Sequence, residues 1–410
     1  MELTKAYKNT DVGIMPEDWN VKELSNFLSF ISYGFTNPMP TAGNGVFMIT
    51  AADIKNGKIL FETARCTTED AYSKLLSDKS RPRKNDILLT KDGSLGRLAI
   101  VDDEKICINQ SVAVLRVNDK VDPVFLKLQL ESSYYQRIMI ENAGGSTIKH
   151  IYITIVDKMK IAVPSIKLEQ KIIASALSDT DAYITSLENL IEKKSQIKQG
   201  AMQELLKPKD GWETKKLGEF NFDISDGNYS SKYPNSSEFK AFGIPFIRAN
   251  NIRKMSILDN DMRFISPELH SELKKGHLKK NDILLTTRGE IGQVALVPDS
   301  HIDSNINAQL VRINTAEKID TKFLAYFFTK SETQNEFMNA QTGSALKQLP
   351  INKLKEIQIN YPSISIQKNI SQILYDIDKD LFQLECNLGK AKSIKQGMTQ
   401  NLLTGKIRLL

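Results

Sequence analysis

The chain is 410 residues long, more than one hydrophobic core usually serves, so two domains with connecting segments are expected. With 41% hydrophobic and 25% charged residues it has the make-up of a soluble globular protein, and a formal charge of +6 permits a polyanionic partner without demanding one. Cys66, Cys107 and Cys386 are odd in number, far apart and free of Cys-x-x-Cys spacing, which argues against a disulfide framework or a cysteine zinc site and for a reducing, cytoplasmic setting.

No run approaches the roughly 18 apolar residues of a membrane span, and the polar N-terminus lacks the apolar core of a signal peptide. Pro16-Glu17-Asp18-Trp19 leads into Val21–Phe27, and its counterpart is Pro208–Phe220 with Trp212. Both tryptophans are expected to be buried anchors where a domain begins. Irregular stretches rich in Gly, Pro, Ser and Asn follow at Ser32–Gly45 and Ser225–Gly243. Gly45–Ile54 then aligns with Gly243–Ile252, an apolar run ending in small polar residues, as in a buried strand that emerges into a loop.

The clearest local repeat is RKNDILLTKDGSLGRLAIV (Arg83–Val101) against KKNDILLTTRGEIGQVALV (Lys279–Val297). It reads as two strands joined by a turn, with Gly93, Gly96, Gly289 and Gly292 supplying the permissive backbone. A phosphate cradle is disfavoured, because no helix pattern follows and no G-x-x-x-x-G-K-[ST] occurs. Asn109–Asn118 and Asn305–Asn314 read as strands, and Phe125–Ile140 and Phe323–Met338 as helices. Gly144–Ile151 and Gly343–Leu349 are glycine-led loops, and Ile161-Ala-Val-Pro and Ile359-Asn-Tyr-Pro close each globular part.

Each half ends in a long helix pattern, Pro164–Leu206 and Pro362–Leu403, of about 40 residues or roughly 60 Å. Both open with Pro-Ser-Ile, which suits a first helical turn. Ile370, Leu374, Ile377, Leu381, Leu384 and Leu388 form a heptad seam. Ile173, Leu177, Ile184, Leu187 and Ile191 occupy the matching places, with Thr180 and Lys194 interrupting. A stripe of this length needs a partner, and the other copy is the obvious one; the alternative is an amphipathic helix docked on its own domain.

The offset between copies stays between 193 and 198 residues throughout, so the chain is a tandem duplication. The expected plan is a globular domain over residues 1–163, a helix over 164–208, a second globe over 209–361 and a second helix over 362–410. The fold class is α/β (α+β), two similar globes separated by two antiparallel coiled-coil helices about a pseudo-twofold axis. Such a caliper, roughly 40–60 Å long, suits reading two short base patterns across an unread gap, since one turn of B-DNA is about 34–36 Å. A two-headed protein–protein scaffold would look the same at this level.

The ordered set of features resembles the specificity subunit of type I restriction–modification enzymes. The repeated N-D-I-L-L-T…G-x-x-G unit, the paired helices ending in I-K-Q-G…L-L and the C-terminal Leu402-Leu403-Thr404-Gly405-Lys406-Ile407-Arg408-Leu409 carry the resemblance over essentially the whole length. It implies two target recognition domains, each contacting half of a bipartite, asymmetric site in double-stranded DNA. It implies helices that space the half-sites and dock two methyltransferase subunits, with two restriction subunits joining the full complex. It further implies no chemistry in this chain and no cofactor of its own, S-adenosylmethionine, ATP and Mg belonging to the partners. The sequence agrees on the last point, having no [DN]-P-P-[YF] motif, no Walker A sequence and no G-x-S-x-G elbow. A partner with fused methylase and nuclease is also compatible.

Base readout needs Arg, Lys, Asn and Gln presented to base edges, whereas phosphate contacts only position the protein. Residues identical in both copies, such as Asn85–Thr90 and Asn281–Thr286, more naturally build the fold than distinguish two half-sites. Polar loop residues that differ are the readout candidates: Thr50 and Ala52 against Arg248 and Asn250, Lys91, Asp92 and Arg97 against Thr287, Arg288 and Gln293, and His150 against Gln348. Tyr33 and Tyr229 are placed in the irregular loops within reach of bases or sugars, and the shared Lys149 and Lys347 are assigned to phosphate. The four histidines (His150, His270, His277 and His301) lack metal-site spacing, and His270 and His277 read as a solvated pair on a helix.

Overall fold

The computed structural model describes residues 6–102, 104–145, 149–227, 233–344 and 346–409. By contact the chain divides into two compact units, residues 1–188 with 387–410 and residues 189–386. The division falls inside both long helices, Lys167–Leu205 and Ile364–Leu402. Each unit therefore holds a globe, the first part of the helix that follows it and the last part of the other helix.

The first globe is built on an antiparallel sheet in the order Leu98–Ile100, Ile87–Thr90, Val112–Val117, Leu28–Tyr33. A second sheet sets Val46–Ile49 between Ile106–Ile108, parallel to it, and Arg65–Thr67, antiparallel. The other unit repeats both sheets with Val294–Leu296, Asp282–Thr286, Leu310–Asn314 and Asp223–Asp226, and with Ile244–Ile247 between Asn305–Ile306 and Arg263–Ile265. This is the mixed α/β architecture expected from the sequence.

The shared N-D-I-L-L-T run has a structural cause at each position. Asn85 and Asn281 adopt left-handed backbone (φ 68° and 65°), a conformation that asparagine tolerates better than most side chains. The buried Asp86 and Asp282 accept the backbone N–H of Arg83 and of Lys279, both at 2.8 Å, closing the turn before the strand. Asp86 also takes a bidentate pair from Arg116 at 2.9 and 2.7 Å. Burial pushes the Asp282 carboxyl above its ordinary pKa. Thr90 and Thr286 accept at 2.9 Å from the backbone N–H of Arg97 and of Gln293, fastening the G-x-x-G turn.

Several local expectations are corrected. Phe125–Ile140 is two helices, Pro123–Glu131 and Ser133–Glu141, because Ser132 is extended (ψ 149°); Lys330 (ψ 138°) likewise separates Thr321–Thr329 from Ser331–Asn339. Pro362 lies outside its helix, which begins at Ile364, and Pro164 is not in a helix either. It ends the strand Lys160–Pro164, where it pairs with Trp19 and its missing N–H costs nothing at a sheet margin. Trp19 is fully buried, but Trp212 is only half-buried against Phe323.

Within each unit the helix segments run antiparallel, since partner numbers fall along one helix as they rise along the other. Asp181 pairs with Lys395 and Glu188 with Lys392 in the first unit; Lys194 pairs with Asp380 and Lys198 with Asp378 in the second. The apolar seam divides its labour. Ile173 and Leu177 lie in the first globe's core together with Leu402 and Leu403, and Ile370 and Leu374 lie in the second globe's core with Leu206. Ile184 and Leu187 are buried, whereas Ile191, Ile377, Leu381, Leu384 and Leu388 are half-buried. The helix starts are thus docked on their globes, and the later seam positions face the other helix segment's side of the unit less completely.

The C-terminal segment is fixed to the first globe. Arg408 forms a bidentate pair with Asp18, both bonds at 2.9 Å, and a second with the fully buried Glu169. Gln129, itself buried, donates to the carbonyls of Ala162 and Leu403 at 2.8 and 3.0 Å. Among the described residues no helix is long and apolar enough to cross a membrane.

Candidate nucleic-acid interface

In the first unit, Tyr33, Thr50, Lys91 and His150 gather around Ser111. Lys91 and Asp92 donate their backbone N–H to the Ser111 carbonyl at 2.9 and 3.3 Å, and the Ser111 hydroxyl accepts from Ala51 N at 3.0 Å. The loop carrying His150 reaches the same corner through a β-bridge to Asp92 and a bond from Ile151 N to the Lys91 carbonyl. Asp92 is the hub. Its carboxylate accepts from Lys91 Nζ at 2.9 Å and from His150 Nδ1 at 2.6 Å, while Lys91 also lies 5.5 Å from the centre of the Tyr33 ring. Tyr33 ends the strand Leu28–Tyr33 rather than standing in the irregular stretch, and it is exposed.

The second unit repeats the backbone of this corner with other side chains. Arg288 and Gln348 form the bridge equivalent to Asp92 and His150, Leu349 N donates to the Thr287 carbonyl, and Thr287 N donates to the Gln309 carbonyl at 2.8 Å. Arg248 precedes the adjoining turn, Ala249–Asn251, as Thr50 precedes Ala51–Asp53, and Asn250 lies within that turn. Each turn position is partly spoken for. Thr50 caps its own turn by accepting from Ala52 N at 3.3 Å, and its hydroxyl donates to the Asp53 carboxylate at 2.7 Å. Arg248 donates to the Asp261 carboxylate at 2.9 Å, an interaction that holds this carboxyl below its ordinary pKa. Asn250 reaches the same carboxylate at 3.5 Å.

Arg97 and Gln293 are not brought into these corners. Arg97 donates to the Ile54 carbonyl at 3.2 Å, and Gln293, bonded to Glu290 at 2.9 Å, lines a groove with Lys198, Lys254 and Lys330. Lys149 and Lys347 are exposed, beside the bridging His150 and Gln348. Tyr229 lies outside the described residues. Sequence reasoning missed Ser111 and Gln309, the turn residues on which the corners are hung, because it set Asn109 against Asn305; the structure matches Asn109 with Asn307, each accepting from the backbone N–H two residues on. It also missed Gln136 and Gln334, which hold the carbonyls of Gly96 and Gly292 at 2.8 and 2.9 Å and fix the G-x-x-G turn to the neighbouring helix.

The family described as type I restriction modification DNA specificity domain matches the chain twice, over residues 16–199 and 209–396. The chain belongs to that family. It is 27% identical over 433 aligned residues to the putative type I restriction enzyme MjaX specificity subunit of Methanocaldococcus jannaschii, with 98% of this chain and 97% of that one covered. It is 23% identical to the type I restriction enzyme EcoKI specificity subunit of Escherichia coli K12, over 97% and 90% of the two chains. Among solved structures the type I S subunit from M. genitalium has the same fold, with a TM-score of 0.63, 18% identity and 98% of both chains covered. The chain is therefore a type I specificity subunit with two target recognition domains, and the two corners described above belong one to each.

Proposed function

We propose that the two target recognition domains read the two halves of a bipartite, asymmetric DNA site, the corner around Ser111 serving one half and the corner around Gln309 the other. The observation that carries this reading is one backbone scaffold bearing two side-chain sets: Lys91, Asp92 and His150 in the first unit, Thr287, Arg288 and Gln348 in the second. A shared scaffold positions each set alike, and the differing donors and acceptors give different base preferences. Lys149 and Lys347, common to both, act on phosphates.

In this reading the chain carries no catalytic residues. The long helices set the gap between half-sites and dock two methyltransferase subunits, with two restriction subunits completing the complex, and S-adenosylmethionine, ATP and Mg are held by those partners. Exposed apolar side chains on the helices, among them Leu190, Ile197, Ile373 and Phe382, support a docking role. Selection from a pool of randomised duplexes by the chain assembled with its methyltransferase subunits tests the proposal. Two short fixed patterns separated by a constant unread gap are expected. Recovery of duplexes with no common pattern, alongside normal partner binding, establishes the scaffold reading instead.

A further inference from the structure

The second unit carries a side-chain cluster that has no part in the interface. His270 in the short helix Pro267–Glu272, His277 in the segment after it, and Asp303 before the strand Asn305–Ile306 each bring one ligand atom to within 4.8 Å of the others. Backbone pairing puts them there: His277 bridges to Asn305, Leu278 N donates to the Ser304 carbonyl at 2.9 Å, and Asp303 N donates to the Leu278 carbonyl at 2.8 Å. The histidines do not share a helix. The chain turns back after Glu272, and the two rings meet with centres 4.3 Å apart.

Hydrogen bonding fixes how each imidazole faces the cluster. His277 Nε2 meets the Leu273 carbonyl, which only accepts, so the proton is on Nε2 and the Nδ1 lone pair points to Asp303 Oδ1, 3.5 Å away. His270 Nδ1 lies 2.6 Å from the side-chain amide of Asn305, a fully buried residue whose Oδ1 has no partner. Turned end for end, that amide offers Oδ1 to a His270 Nδ1–H, and the Nε2 lone pair is left facing Asp303 Oδ1 at 3.4 Å. Giving the second ring N–H to a carbonyl oxygen is how ligating histidines are held. In that state two lone pairs converge on a carboxylate, an arrangement that a cation held between them stabilises.

The spacing suits a small one. Ligands about 2.05 Å from a tetrahedral ion stand about 3.3 Å apart, close to the 3.4 and 3.5 Å found here. The first unit solves the same corner differently. Counting from the matched helix caps Thr68 and Ser266, the matched turns at Arg83 and Lys279, and the matched strands, the equivalents of His270, His277 and Asp303 are Tyr72, Arg81 and Lys105. There both cations lie by the Tyr72 ring, 4.9 and 4.7 Å from its centre, and clamp the corner through cation–π contacts.

We propose that His270, His277 and Asp303 bind one divalent transition-metal ion of zinc-like chemistry, with water completing its coordination, as a brace for the second recognition domain. Two imidazoles and a carboxylate suit Zn²⁺ or Co²⁺ and not Mg²⁺, which demands oxygen ligands. The test is calorimetric titration of the tag-free, chelator-treated full chain with Zn²⁺, and with Co²⁺ to read the visible bands of a low-symmetry site. One ion per chain is expected at micromolar affinity or tighter, with no heat from Mg²⁺. Asp303→Asn and His277→Gln each weaken binding about tenfold or more, while Asp299→Asn, a nearby exposed carboxylate, leaves it unchanged. Asp303 is exposed and left-handed (φ 62°), which Asn accepts, so that variant keeps the wild-type melting temperature in chelator. Absence of saturable Zn²⁺ binding, equal binding of Mg²⁺, or undiminished affinity in Asp303→Asn overturns the proposal.

Discussion

Residues identical in the two halves have a structural duty, and the proposed discrimination between half-sites falls to residues that differ. Asn85 and Asn281 hold left-handed turns, and Asp86 and Asp282 are buried beneath them. Arg288, by contrast, stands where the other copy has Asp92, one position inside the same bridge. Replacing Arg288 with Ala is expected to cost about 1–3 kcal/mol at one half-site only and to relax base preference there, measured by binding to duplexes mutated in each half. Lys149→Ala is expected to weaken binding evenly across sequences and to lower the salt slope by about 1. At Arg408 the issue is stability: its removal leaves Glu169 buried without a counter-charge. Arg408→Ala is expected to cost about 3–5 kcal/mol in urea unfolding, and a change within error contradicts that role. The hub position of Asp92, between Lys91 and His150, could not be read from the sequence, because it depends on two loops 58 residues apart meeting across a bridge.

The strands and long helices were legible because alternation, apolar runs and heptads report directly on burial. Breaks inside elements were not. Ser132 and Lys330 interrupt what reads as one amphipathic helix, and neither residue is a helix breaker; beyond the break the second helices bury Tyr135 and Met139, and Thr333 and Phe337. The G-x-x-G turn was identified, but its two glycines differ in a way only coordinates reveal. A Cβ on Gly93 (φ 74°) meets nothing within 4 Å, whereas one on Gly96 (φ 78°) comes within 2.5 Å of Gln136 Oε1. Gly93→Ala is expected to lose only the backbone term, about 1–2 kcal/mol. Gly96→Ala loses more, because Gln136 must also give up its bonds to Gly96 and Leu130, at about 1 kcal/mol each. Equal melting temperatures for the two variants would show that the clamp carries no weight.

The duplication is the fact from which the whole-molecule account follows, and it was fully legible at an offset of 193 to 198 residues. What the sequence did not show is that each compact unit takes helix from both halves, so that the end of the chain completes the first unit. That closure depends on Gln129, Glu169 and Asp18 meeting the C-terminal segment, contacts between residues more than 230 positions apart. If the helices space the half-sites, inserting one heptad into both lengthens the tolerated gap by about three base pairs, from roughly 10.5 Å of added helix at about 3.4 Å per base pair. An unchanged gap contradicts the spacer role.

The most direct measurement is sequencing of methylated DNA from cells carrying the complete system with either the wild-type chain or an Arg288→Ala, Gln348→Ala variant. The account predicts a two-part methylated motif with a fixed unread gap for the wild type, and relaxation confined to one part for the variant. A motif without two parts, or equal relaxation of both parts, would contradict it.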